Sequence, residues 1–145
     1  MNYYTTFDVS RILKIDRTRL QEWIDRRYII PDTPAAGRGT KALFTTDQLY
    51  RVKLAIWLMK AGKHRKAAFD LANIAWENVG PSPEKIRYMT LNHMVVSGNL
   101  MEAGNEKVTP NYPSQAMGEN DVFRTAINLV AVMREVDMAI KHDSN

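Results

Sequence analysis

Residues 16–30 carry the side chains best suited to contact a polar partner. Leu20, Trp23 and Ile24 recur at helical spacing, so they can be buried together on one side of a helix. Asp16 precedes them where an N-cap residue belongs, with a carboxylate that can accept hydrogen bonds from the first free amides. The opposite face presents hydrogen-bond donors, namely Arg17, Thr18, Gln21 and, at the edge of the apolar stripe, Arg19. Because phosphates and base edges accept such hydrogen bonds, the pattern predicts a DNA recognition helix over residues 17–26. An ordinary amphipathic helix with a solvated charged face is the alternative.

Two other segments place cations where a DNA backbone could lie. Arg38 and Lys41 belong to a glycine-bearing loop over residues 37–41. A nucleotide-binding loop is rejected there, because the third glycine is missing and a strand rather than a helix follows. The second segment begins a helix without a Ser, Thr, Asp or Asn cap, so a phosphate could accept from its free amides. Its basic residues are Lys63, His64 and Arg65. A solvated basic helix start is the alternative for this segment.

Short helices are expected to position these donors. Thr5, with Asp8 three residues later, is typical of a capping box at the start of a first helix. The apolar stripe of that helix is Val9, Ile12 and Leu13. About two residues then separate it from the recognition helix, a spacing typical of a helix-turn-helix.

A β-hairpin wing is predicted after the recognition helix. Tyr28–Pro31 is apolar and β-prone, and residues 42–45 form a second short strand beyond the basic loop. Thr45 with Gln48 is a second capping box, for a helix over about residues 46–61 that Gly62 ends. Since this helix is apolar on most of its circumference, we expect it to be central to the core.

The second half of the chain is predicted to be a separate unit. The break at Gly80–Pro83 divides the chain into a winged helix-turn-helix domain over residues 1–79 and a C-terminal unit over residues 80–145. Within this unit we expect a β-hairpin that pairs residues 86–97 with residues 100–108.

A long helix over residues 120–141 is predicted to follow, with apolar residues spaced alternately four and three apart. The residues of this heptad seam are Val122, Ala126, Leu129, Met133, Val136 and Ile140. They predict the interface of a homodimer, and packing wholly within one chain is the alternative, because the seam is shorter than three heptads. The expected fold class is therefore mainly α: a winged helix-turn-helix domain with a C-terminal β-hairpin and a long dimerisation helix.

Composition restricts the possible partners. The 145 residues fit one domain, or a small domain with an appendage. Residues 1–79 contain 14 Lys and Arg against 8 Asp and Glu, a net charge of +6, whereas the remainder has a net charge of −2. A basic first half favours nucleic acid as the partner. The lack of cysteine excludes disulfides, thiolate metal sites and cysteine nucleophiles. With neither a membrane-length apolar run nor a signal-peptide pattern, the protein is expected in the cytoplasm.

The order of these elements resembles the MerR-type family of winged helix-turn-helix DNA-binding proteins, over Tyr4 to Leu71. The matching positions, in chain order, are Ile15, Leu20, Trp23, Tyr28, Ile29, Pro31, Arg38, Lys41, Phe44, Thr45, Asp47 and Gly62. Three positions depart from the family pattern. Gln21-Glu22 stands where many members carry Arg-Tyr, and Arg27 replaces a glycine at the exit from the recognition helix. Glu22 would be repelled by phosphate unless it faces sideways.

The resemblance implies a homodimer joined through C-terminal helices that binds a palindromic operator and regulates transcription. Members that sense metals use cysteines near the dimer helix, so this chain looks unlike a thiol metal sensor. The resemblance suggests no particular small-molecule effector. We expect the recognition helix to contact the major groove, while the basic loop and the segment at residues 63–65 hold the DNA backbone.

Three other functions compete with this interpretation. An enzyme is not expected, and neither is a metal or cofactor site, because His64, His93 and His142 lack ligand-like spacing and no Ser-His or paired-carboxylate pattern is visible. A phage-type DNA-binding factor, such as an excisionase or a packaging-type factor, would use the same winged fold without regulating transcription. A protein-interaction module with an incidental basic face would show no salt-dependent binding to DNA.

Overall fold

The computed structural model of the protein describes residues 2–79, 88–94, 106–109 and 121–145. The helices are α1 (Thr6–Leu13), α2 (Arg17–Asp25), α3 (Thr46–Lys60), α4 (Arg65–Val79) and α5 (Leu129–Asp143). The strands are β1 (Tyr3–Thr5), β2 (Leu43–Thr45), β3 (Tyr88–Met94), β4 (Glu106–Thr109) and β5 (Asp121–Asn128). The protein is therefore mainly helical, as the sequence predicts. Within the described ranges, no helix is both long enough and apolar enough to cross a membrane.

Short-range hydrogen bonds determine where α1 and α2 begin. The Thr5 hydroxyl accepts from the Asp8 amide at 3.2 Å, and the Asp8 carboxylate accepts from the Thr5 amide at 2.8 Å. The Asp16 carboxylate accepts from the amides of Thr18 and Arg19 at 2.8 and 3.2 Å. Both predicted helix starts are thus confirmed. The residues that the two helices bury are Val9, Ile12, Leu13, Leu20 and Trp23.

Both helices end at a non-glycine residue in the left-handed region. Lys14 follows α1 with a φ of 55°, and Arg27 follows α2 with a φ of 60°. After α2, the Tyr28 amide donates to the Trp23 carbonyl at 2.9 Å and the Arg27 amide donates to the Ile24 carbonyl at 3.0 Å. This pair of bonds is a Schellman motif, whose left-handed position is usually glycine because a Cβ atom is strained there.

The wing differs from the predicted hairpin. Thr33 exchanges both backbone hydrogen bonds with Leu43, at 3.1 and 2.8 Å, and thereby closes a loop of residues 34–42, here called the wing loop. Tyr28–Pro31 is not a strand, so that prediction is wrong. The turn after α2 leads Ile29 into the core, and β1 pairs with β2 in an antiparallel sheet.

α3 lies in the centre of the core, as predicted. The Thr45 hydroxyl accepts from the Gln48 amide at 3.4 Å, and the Gln48 side chain accepts from the Thr45 amide at 3.1 Å, which confirms the capping box. Gly62, with a φ of 100°, ends the helix in another Schellman motif, since its amide and that of Lys63 donate at 3.0 Å to carbonyls of the last turn. The residues that α3 and α4 bury between them and against the other helices are Leu49, Val52, Leu54, Ala55, Leu58, Ala67, Ala68, Phe69, Leu71, Ala72, Ala75 and Trp76.

β3 is the middle strand of a second antiparallel sheet, in the order β4-β3-β5. β3 lies within the first segment predicted for a C-terminal hairpin, and β4 overlaps the end of the second segment and extends one residue beyond it; Leu91 of β3 lies opposite Val108 of β4. The connection predicted between those segments lies outside the described residues. On its other side β3 pairs with β5, with Leu91 opposite Thr125.

The last predicted helix begins nine residues later than expected, because Asp121–Asn128 is strand β5 and α5 starts at Leu129. Val122 and Ala126 therefore lie in a strand and cannot belong to a helical seam. This segment is rich in β-branched and aromatic residues, and pairing with β3 overrides its helical spacing. Asn128 caps α5 by accepting from the Ala131 amide at 3.1 Å.

α5 packs against α1 and α3 of its own chain. Leu129 and Val136 are each 0% exposed in the core that those helices form, and Met133 and Ile140 are partly buried against it. Leu129 and Val136, two residues of the seam assigned to a dimer interface, are thus covered within the chain. An apolar helical stripe does not specify whether its cover comes from the same chain, so the burial of these two residues gives no support to the predicted dimer interface. α5 belongs by sequence to the predicted unit 80–145, yet it shares the core of residues 1–79.

Candidate nucleic-acid interface

A concave groove of about 670 Å³ lies between α2 and the wing loop, and we name it the α2–wing groove. Three cations line it: Arg17 at the start of α2, Arg27 after its end, and Lys41 at the end of the wing loop. None of the described residues that line it is Asp or Glu. The other lining residues are Thr5, Thr6, Phe7, Gln21, Ile24, Ile29, Ile30, Pro31, Pro34, Ala35, Thr40 and Ala42. The groove is therefore a positively charged surface that favours an anionic partner.

Arg17 is placed by an aromatic ring. Its guanidinium carbon lies 5.3 Å from the centroid of Phe7, a residue of α1 that is 52% exposed. Arg11 lies over the same ring at 5.0 Å. A cation–π contact restricts a guanidinium without occupying its N–H donors. Arg17 therefore keeps its donors available to a ligand in the groove.

The other polar residues of α2 are also on the outside of the protein. Thr18 and Gln21 are both exposed. The Gln21 amide donates to the Asp25 carboxylate at 2.9 Å, one helical turn further along. That bond has to open before Gln21 can reach a base edge.

Arg19 lies away from the groove. Its guanidinium carbon is 5.0 Å from the Trp23 ring, and it lines a different hollow of about 470 Å³ beside α3. Lys14 and Lys53 line the same hollow. The structure thus separates Arg19 from Arg17, although the sequence placed them on one contact surface.

Glu22 is neutralised within the protein. Its carboxylate pairs with Arg26 at 3.2 Å and with Arg65 at 3.1 Å. The two guanidiniums outweigh the single carboxylate, so the repulsion expected between Glu22 and a DNA phosphate is largely removed. The ion pair with Glu22 also engages Arg65, which the sequence assigned to the DNA backbone.

The segment before α4 does not present three cations together. Lys63, which the sequence assigned to the DNA backbone, is only 8% exposed and so is largely removed from the surface. The physical reason is its place in the Schellman motif after α3, where the residue following the glycine turns back onto the helix. His64 is exposed, and its carbonyl accepts the first helical bond of α4 from Ala68 at 2.8 Å.

The wing loop presents two exposed cations, Arg38 and Lys41. Lys41 lines the α2–wing groove, whereas Arg38 lies between Gly37 and Gly39 on the part of the loop outside it. The Thr40 amide donates to the Gly37 carbonyl at 3.2 Å, and Gly37 needs a φ of 136°, which L residues rarely adopt.

Arg27 is the groove residue that sequence reasoning missed. It was visible only as an arginine at a position where a helix exit favours glycine. Its place in the groove depends on the turn after α2, which no local pattern of polar residues indicates.

Shifted pKa values occur where α5 meets α1 and α3. A hydrogen bond from Arg11 at 2.5 Å holds the pKa of Asp143 below its ordinary value. Burial, together with the hydrogen bond that Tyr50 donates to Asp137, raises the pKa of Tyr50. These contacts hold helices together, so the shifts are structural rather than catalytic. In the part of the chain that the structure describes, no group of three or more His, Asp or Glu could hold a metal ion.

No protein-family model matches the sequence, and no curated protein matches it significantly. Function is therefore inferred from the residues and their geometry.

Proposed function

We propose that the protein binds double-stranded DNA in a sequence-specific manner, with α2 in the major groove and the wing loop on the neighbouring phosphate backbone. The observation that carries this proposal is the α2–wing groove. Its three cations come from separate parts of the chain, and none of its described lining residues is acidic. Such a surface gains affinity for DNA by displacing counterions from phosphates.

The residues divide into two roles. Arg17 and Gln21 on α2 carry the donors that pair with guanine and adenine edges in the major groove. Lys41 and Arg38 on the wing loop, and His64 before α4, would contact phosphates, which supply affinity without sequence preference. The Glu22 ion pairs support this arrangement, because they leave α2 without an unpaired carboxylate at that position.

The resemblance to the MerR-type family adds transcription regulation by a homodimer to the proposal. The contact between subunits would have to lie elsewhere than the heptad seam, because Leu129 and Val136 are covered by their own chain. Half-site spacing in duplexes selected from a random pool would report a dimer directly, since two recognition helices on one DNA face bind about one helical turn apart.

The test is a titration with selected and random duplexes at two salt concentrations. We expect the affinity of the wild-type protein for both to fall steeply as salt rises. Arg17→Ala should reduce the preference for the selected duplex by about 1–3 kcal/mol. Lys41→Ala should weaken binding to both duplexes about equally and lower the salt slope by about 1.

Arg134→Ala is the matched control for these variants. Arg134 is exposed on α5 and lines none of the α2–wing groove, so its removal changes the net charge without touching the proposed contacts. The proposal fails if the wild-type protein ignores both duplexes at low salt, or if Arg134→Ala weakens binding as much as Lys41→Ala does.

A further inference from the structure

Arg27 occupies a backbone conformation that disfavours it. Its φ of 60° is left-handed, and it stands at the one position of the Schellman motif where glycine relieves the strain. The hydrogen bonds of that motif are made by backbone atoms, so the arginine side chain contributes nothing to them. An arginine at this position therefore calls for an explanation outside the turn itself.

The explanation is not an ion pair within the described part of the protein. Arg27 also borders a second hollow of about 450 Å³ that Asp32, Asp47 and Glu77 line. It makes no ion pair or hydrogen bond through its side chain with any described residue. Asp47 is instead engaged by the Trp76 indole at 2.6 Å and by Arg51 at 3.4 Å.

On the side that faces the wing loop, Arg27 lines the α2–wing groove together with Arg17 and Lys41. None of the described residues that line this groove is acidic. α2 has nine residues and is about 14 Å long at about 1.5 Å per residue. If its N-terminal residues contact base edges, a helix of that length places the residue after its C-terminal end near the phosphates that border the major groove, which is about 12 Å wide.

We infer that Arg27 is a phosphate-contacting residue, retained at a strained backbone position because it places a guanidinium at the end of α2 that faces the wing loop. This inference rests on the proposed function, and it adds a contact that supplies affinity rather than sequence preference. An arginine is suited to the role, since its fork of donors binds two phosphate oxygens together.

The test compares Arg27→Gly with Arg27→Lys by duplex titration and by thermal melting. Arg27→Gly should bind random and selected duplexes about tenfold more weakly, with a salt slope lower by about 1. The same variant should melt about 2–3 °C higher, because glycine relieves the left-handed strain by more than it loses in chain entropy. Arg27→Lys keeps the charge and the strain, so it should retain the wild-type salt slope and melting temperature.

Lys14→Gly is the matched control. Among the described residues, Lys14 is the other non-glycine residue with a positive φ, 55°, and it lines the hollow beside α3 rather than the groove. Lys14→Gly should show a similar rise in melting temperature and keep the wild-type affinity for DNA. Equal binding of Arg27→Gly and wild type would overturn the inference and leave the proposed function intact. A lower melting temperature for Arg27→Gly would also overturn it, in favour of an ion pair with the neighbouring acids. If the wild-type protein does not bind DNA, the proposed function itself is overturned.

Discussion

Truncation of Leu129 to alanine should destabilise the protein strongly and independently of protein concentration. Leu129 is the first residue of α5 and is 0% exposed in the core shared with α1 and α3. Removing three buried carbons loses about 2.4 kcal/mol at about 0.8 kcal/mol per CH₂ group. The cavity left behind adds about 1 kcal/mol, so we expect a loss of about 3–4 kcal/mol in the free energy of unfolding.

Urea unfolding and thermal melting, each at several protein concentrations, measure this effect. A loss of this size should lower the melting temperature by about 10 °C in a chain of this length. If the partner of Leu129 is its own chain, the loss should be the same at every concentration. If the partner were a second subunit, stability would depend on protein concentration by mass action.

Met138→Ala is the control on the same helix. Met138 is 71% exposed, so its truncation should change the free energy of unfolding by less than about 0.5 kcal/mol. Equal effects of the two truncations, or a Leu129→Ala defect that disappears at high protein concentration, would refute the packing of α5 on α1 and α3.

Two other predictions concern contacts that hold the candidate interface in place. The Gln48 side chain donates to the Ile30 carbonyl at 2.5 Å and accepts from the Asp32 amide at 3.1 Å, so Gln48→Ala should cost about 1–3 kcal/mol in urea unfolding. Gln48→Glu keeps the acceptor but turns a carboxylate oxygen toward the Ile30 carbonyl, so it should also be less stable than wild type, and an unchanged Gln48→Ala would contradict this role. Arg11 holds the pKa of Asp143 in the folded protein below its ordinary value of 3.8. The Arg11–Asp143 pair should therefore contribute its full stability above about pH 4, and this contribution should be lost as the pH falls through the pKa of Asp143 in the folded protein. Melting temperatures measured below about pH 4 should therefore fall more steeply for wild type than for Asp143→Asn, and parallel curves would contradict the pairing.

The helix starts could be predicted because their causes are local. Thr5, Asp16 and Thr45 each accept from amides two or three residues away, so the sequence contains both partners of every cap. Gly62 likewise marks the end of α3, since a glycine tolerates the left-handed turn that a helix C-terminus uses. The exposed donors Arg17 and Gln21 follow from the same local periodicity, because the buried stripe of α2 leaves them outside.

The candidate site was only partly predictable, because a groove is made by segments that meet in space. Arg17, Arg27 and Lys41 are separated by ten and fourteen positions in the chain, and the turn after α2 together with the Thr33–Leu43 bridge brings them around one cavity. Arg19 and Lys63 carry the same charge, yet packing against Trp23 and the turn after α3 take them elsewhere.

By itself the sequence determined the helical character of the protein, the caps of its first three helices and the donor-bearing face of α2, since these depend on contacts within about one helical turn. Only the tertiary structure decided that β1 pairs with β2, that residues 121–128 form a strand, and that the stripe of α5 is covered by α1 and α3. Strand pairing and helix packing join residues far apart in the chain. An apolar pattern indicates that one face of a helix or strand is buried, but it does not indicate which residues cover that face.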